Sequence, residues 1–388
     1  MTTPRYRLKE FSKMHGAGND FVVFETKDII PLKGENIDFK YIATKLSHRK
    51  LGVGCDQLII VNSKHQSEKT HYEMLVYNAD GSEASMCGNG IRCFSKYILD
   101  NKIANCIDGK VVTDEQLVHT KAGIIKTYIP QITDNVSLEK LQNSTSIQIK
   151  VDMSYAYVLS TTDSNSGSSG SGSNNSGSAS ASSASGYGSG SSSGSGSNYG
   201  NGSGSSSIGS GSSSGSTTQT NQTTDKEILV SGQTPVEKYQ VSIDYPQTGK
   251  KLNCILVSMG NPHCVLFFDI NQETLNANEF YEMDISTIAK YLQQHSLFKS
   301  GCNVEFVLKK SDNHFLSRVY ENGSGETLAC GTGACGVAVA CILQGYATTD
   351  KPVKIEMPGG ILTIQWDGKN SVFKTGPATT VFTSCIDI

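Results

Sequence analysis

The sequence predicts an α+β fold of two similar halves from an internal duplication, each a mostly antiparallel β-sheet or barrel wrapped around a central helix. Three observations predict it. A set of short motifs occurs twice in one order. Each set ends in a Cys-Gly-x-Gly turn ahead of an apolar helix, and short alternating runs with Gly, Asn and Pro turns surround both helices.

In chain order, Phe21 to Phe24 reads as a strand, and Gly54-Cys-Asp-Gln57 leads into the apolar run Leu-Ile-Ile-Val. Tyr72 to Tyr77 is another strand of ordinary length. After Cys87 the residues Ile91, Phe94, Tyr97 and Ile98 recur at helical spacing. Ile147 to Leu159 and Lys226 to Ile243 read as alternating β-type runs on either side of a compositionally odd segment. Gly301-Cys-Asn303-Val again precedes a strand, Glu-Phe-Val. Ala334 to Leu343 is apolar on every face yet too short for a membrane span, so it belongs inside a core. Val353 to Trp366 supplies further short strands.

The duplication is clearest where Glu83-Ala-Ser-Met-Cys87-Gly-Asn-Gly matches Glu326-Thr-Leu-Ala-Cys330-Gly-Thr-Gly. The Gly54 and Gly301 motifs form a second pair. Met14-His-Gly-Ala-Gly-Asn19 and Met259-Gly-Asn261-Pro-His263 form a weaker third. Three elements in one order, twice, place a site at the junction of the two halves.

Composition bounds the function. The chain has 388 residues, 18% charged, with a net charge of −3. Mild acidity without a basic patch argues against nucleic acid or an anionic membrane as partner. No run reaches the length of a membrane span, and Met1 to Phe11 is charged and lacks the apolar centre of a signal peptide. The stretch 161–224 is dominated by Ser and Gly, with Asp163 as its only charge. It cannot bury apolar surface and is expected to be a disordered insert, tolerated because loop-closure entropy grows slowly with length. Eleven cysteines, an odd count, suit a reducing, cytoplasmic setting. No Cys-x-x-Cys or Cys/His cluster has zinc spacing, so no metal is expected. Most of the thiols, Cys385 among them, read as packing residues.

Cys87 and Cys330 differ. Each sits at a helix start, where glycines leave amides free to bind a carboxylate and where the helix dipole lowers a thiol's pKa. If the halves face each other, the two thiols flank one cavity. A carboxylate held by both helix ends would place its α-carbon between the sulfurs, so one thiolate removes the α-proton while the opposite thiol returns one. That is stereoinversion by two bases, without a cofactor.

Nearly the whole chain outside the insert resembles the diaminopimelate epimerase family, pyridoxal-independent enzymes of lysine biosynthesis. The resemblance rests on Met14 to Phe21, Asn78 to Gly90, Met259 to His263, Gly301 to Val304, Gly323 to Cys335, Pro358 to Trp366 and Thr375 to Ala378. It implies conversion of LL- to meso-diaminopimelate by Cys87 and Cys330. It also implies carboxylate binding by Gly88, Asn89, Gly331 and Thr332, and substrate amides at Asn19, Gln57, Asn78, Asn261 and Asn303. His263 and Glu321 would tune the thiols, with Glu321 also at the substrate. The implied architecture has a first domain, 1–128 plus 376–388, and a second, 129–375, interrupted by the insert. It further implies a homodimer, with Phe382 at the family's dimer contact or simply in the core.

One position departs from the family pattern. Where the family has an arginine gripping the far end of the substrate, this chain has Asn322, which is expected to bind substrate from that position but cannot supply a bidentate charged contact. Two alternatives therefore stand beside the first reading. One is a racemase of another amino acid, histidine or a basic one. The other is a catalytically inactive binding protein of the same fold.

Overall fold

The computed structural model describes residues 5–32, 34, 36–63, 70, 72–103, 106–107, 110–111, 115–133, 137–159, 227–268 and 275–388. The predicted insert, 161–224, lies outside them. In the first half, β1 (Tyr6–Gly16) and β2 (Asn19–Glu25) form a hairpin, and β3 (Gln57–Asn62) runs parallel to β2 with Gln57 opposite Phe21. Antiparallel β4 (Tyr72–Asn78) places Asn78 opposite Gln57, and the central helix α1 (Gly90–Asp100) follows.

The second half repeats this arrangement. Strand β6 (Pro262–Phe268) runs parallel to β7 (Asn303–Ser311), with His263 opposite Asn303. Antiparallel β8 (His314–Glu321) pairs Tyr320 with Val304, and the central helix α2 (Gly331–Leu343) follows. Between the halves in sequence lies β5 (Ser146–Asp152). The last strand, β9 (Phe373–Asp387), joins the halves, because it pairs with β1, with β5 and with the strand Gly360–Gln365.

Both faces of these strands are covered, which explains their continuous apolar runs. Phe21, Val23, Ile59 and Val61 face a core built around α1 and α2. Their neighbours Val22, Phe24, Leu58 and Ile60 pack outward against the helix Phe39–Ser47. The second half does the same. Val265 and Val307 point inward, while Cys264, Leu266, Val304, Phe306 and Leu308 meet the helix Ser286–Gln293. Helix α2 is buried on nearly every side, as its composition requires. Among the described residues, no helix is long and apolar enough to cross a membrane.

Three sequence expectations change. The run Ile147 to Leu159 is a strand only to Asp152, because Ser154 takes a left-handed φ of 65° and ends it. Lys226 to Ile243 is not one strand. Ile228 forms an isolated bridge with Tyr157, a turn with Gly232 at φ 72° follows, and pairing resumes only at Gln240. Cys385 is exposed, since the end of β9 overhangs the core.

Candidate active site

The duplicated registers bring equivalent residues to one place. Gln57 and Asn303 each open a strand parallel to its predecessor, and Asn78 and Glu321 close the antiparallel strand beside it. A short connection then leads from each to its cysteine and helix. A single cavity of about 1070 Å³ lies where the two sets meet. Its wall includes Asn19, Gln57, Asn78, Cys87, Gly88, Asn89, Asn261, Glu321, Cys330, Gly331 and Thr332.

The two thiols are held alike. The Cys87 sulfur accepts the Gly90 amide at 3.3 Å, and the Cys330 sulfur accepts the Gly333 amide at 3.4 Å. Each sulfur thus takes one of the unpaired donors of a helix start. A side chain at the third position would crowd a buried neighbour in both halves. A Cβ on Gly90 would sit 2.9 Å from Ile59, and one on Gly333 would sit 2.7 Å from Glu305 Oε1.

The charges around the thiols are not alike. Burial pushes the Cys87 thiol up, but the Gly90 and Asn89 amides and the cations Lys374 and Arg92 pull it back. Burial also pushes Cys330 up, and there the carboxylates Glu321 and Glu305 add to the rise, against the Thr332 hydroxyl and the Gly333 amide. The sequence argument from the helix dipole predicts lowered pKa values. In this site desolvation outweighs the dipole. Glu321 itself is raised by burial, partly offset by hydrogen bonds from Thr327, at 2.5 Å, and from Cys330.

Three predicted site residues stand behind the cavity wall and not in it. His263 is fully buried, its Nδ1 2.6 Å from Glu305 Oε1 and its Nε2 3.1 Å from Asn261 Oδ1. It touches the cavity wall through Asn261. Asn303 accepts the Asn322 backbone amide at 2.9 Å. The Asn322 side chain turns onto the Gly301 turn and donates to the Ser300 carbonyl at 3.0 Å. Both asparagines brace that loop, because Gly301, at φ 75°, leaves room that only a missing side chain provides.

Sequence reasoning overlooked several charged residues. Arg49 and Arg318 line the cavity, each held by acids: Arg49 by Asp20 and Asp56, Arg318 in a two-pronged contact with Glu326. Glu305, Arg92 and Lys374 are fully buried behind it. A lone acid in the apolar run Val304 to Leu308 was the available signal for Glu305.

The doubled fold, with two capped thiols facing one cavity, defines the class of isomerases that invert an amino-acid α-carbon, the epimerases and racemases. Among solved structures, the chain shares this fold with a hydroxyproline epimerase from Agrobacterium vitis, with a TM-score of 0.53 at 10% identity, covering 100% of this chain and 94% of that one. It is 32% identical over 373 residues to the diaminopimelate epimerase of Desulfitobacterium hafniense, covering 96% of each. It is also 32% identical over 384 residues to that of Methanococcus maripaludis, covering 98% of this chain and 100% of the relative. The family profile for diaminopimelate epimerase matches residues 11–143 and 255–381, and the chain belongs to that family.

Proposed function

We propose that the protein converts LL-2,6-diaminopimelate to meso-diaminopimelate, a step of lysine biosynthesis, by a two-base thiol mechanism that needs no cofactor. One observation carries the reading: two sulfurs, each capping a helix start through the amide three residues on, open onto the same cavity. The amides of the Gly88–Asn89 and Gly331–Thr332 turns receive the α-carboxylate and stabilise the negative charge that develops as the α-proton leaves. One of the two thiols removes the α-proton as a thiolate and the other returns a proton to the opposite face; cations stand beside Cys87 and carboxylates beside Cys330. Replacing either with serine tests this. Epimerisation is expected to fall by at least about 100-fold, and full turnover in either variant contradicts the reading.

A second reading keeps the mechanism and changes the substrate to another amino acid. Asn322 favours it, because its side chain faces the Gly301 loop and both arginines in the cavity wall already hold acids. Assaying histidine and lysine beside diaminopimelate separates the two.

We also propose a homodimer formed through the β1–β9 face, supported by exposed Val381 and Phe382, with sedimentation velocity as the check. A reducing cytoplasmic compartment is proposed on the free state of ten cysteines among the described residues.

A further inference from the structure

Lys374 lies on β9, paired on one side with Val151 and on the other with Ile364. The alternation of a strand sends it inward, on the buried side it shares with Gly376 and Ala378. Its side chain is fully buried and ends where the two glycine loops meet. The ammonium donates to the Gly88 carbonyl at 3.0 Å. A Cβ on Gly88 would sit 2.8 Å from Nζ, and one on Gly331 would collide with it outright, so both glycines make room for this cation.

A second buried cation shares the spot. Arg92 Nη1 donates to the same Gly88 carbonyl at 3.2 Å and to Asn89 Oδ1 at 3.0 Å, and its Nε donates to the Pro377 carbonyl at 3.1 Å. Its Nη2 is buried without a partner. The bonds of Lys374 and Arg92 thus go to neutral oxygens, at a point onto which the positive ends of α1 and α2 also converge. The groups acting on Lys374 are Arg92 on α1, Cys87 ahead of it, Cys330 ahead of α2 and Cys335 within α2. None of them is a carboxylate. Burial, then Arg92, holds the lysine down to about 8. Cations buried without an anion are destabilising, so the two glycine loops form a positively charged site suited to a carboxylate.

We propose that Lys374 is a positioning residue of the carboxylate clamp: its ammonium ties the Gly88 loop against the Gly331 loop and supplies the countercharge for the carboxylate they bind. The inference rests on the two-thiol reading, with the α-carboxylate as the anion. Lys374 is absent from the cavity wall, so it acts through the loops and not on the reacting atoms.

The test uses the full chain, with KM and kcat for LL-diaminopimelate and the thermal midpoint of the free protein. Lys374→Met removes both donor and charge; Lys374→Gln keeps a donor for the Gly88 carbonyl and removes only the charge. Both are expected to raise KM by about tenfold or more, with kcat changed much less and the midpoint unchanged or higher. A KM that stays within about threefold of wild type in whichever variant folds overturns the proposal. So does a midpoint that falls in both variants, since Lys374 would then be a structural strut. Wild type with no turnover of diaminopimelate defeats the substrate reading instead, and that outcome is visible before any variant is made.

Discussion

His263 Nδ1 lies 2.6 Å from Glu305 Oε1, and both side chains are fully buried behind the helix start that carries Cys330. The pair is wedged between β6, β7 and the first turns of α2, where Gly333 and Gly336 leave space for it. Through Asn261, bonded to the other ring nitrogen, it reaches the cavity wall.

Breaking that pair is expected to impair turnover. Glu305→Gln replaces a charged partner with a neutral one, and kcat is expected to fall by about tenfold or more. Gly333→Ala is expected to do the same by a different route, because its methyl would sit 2.7 Å from Glu305 Oε1 and 3.1 Å from Cys330 Cβ. Steady-state kinetics on both variants checks this, and unchanged kcat in both removes the pair from the account.

The pH dependence follows from the thiols. Burial holds Cys87 and Cys330 above the ordinary thiol range, so at neutral pH the free protein carries mostly protonated thiols. The base must be a thiolate, whose fraction grows about tenfold per pH unit below its pKa. Hence kcat is expected to rise from pH 7 to pH 9, while KM rises as Lys374 loses its charge, and a flat kcat profile contradicts it.

Stability is expected to move the other way. Burial raises Cys93 to about 12 and Cys335 to about 11. As pH climbs past the ordinary thiol value, the unfolded chain loses protons that the fold retains. Each such group then lowers stability by about 1.4 kcal/mol per pH unit until its folded value is reached. Denaturant melts at pH 8 and pH 10 measure the loss.

Asn322→Arg tests the far end of the substrate. If the arginine swings from the Gly301 loop into the cavity, the Kd of diaminopimelate is expected to tighten by roughly 10- to 150-fold. An unchanged Kd contradicts the argument from Asn322 and removes that support for another substrate.

The paired helix starts, the twofold order of motifs and eleven residues of the cavity wall were legible in the sequence, because glycine turns and cysteine spacing are local signals. Cys330 caps α2, and Cys87 stands three residues before α1 begins. What was not legible depends on contacts between distant segments. Lys374 and Arg92 are 282 positions apart by number (374 − 92) and meet only because β9 returns to the first half. Asn303 and Asn322 look like substrate amides in sequence, but the Gly301 turn claims both. The thiol shifts were misjudged in direction because burial, which overrides the helix dipole here, is a tertiary property.

The most direct measurement is deuterium incorporation at the α-carbon of LL- and meso-diaminopimelate, followed by mass spectrometry in heavy water under reducing conditions with no added cofactor. The account predicts label in the epimerised product with the wild-type protein and none with Cys87→Ser or Cys330→Ser. Label appearing at the wild-type rate in either variant, or no label from either diaminopimelate with the wild type, would contradict it.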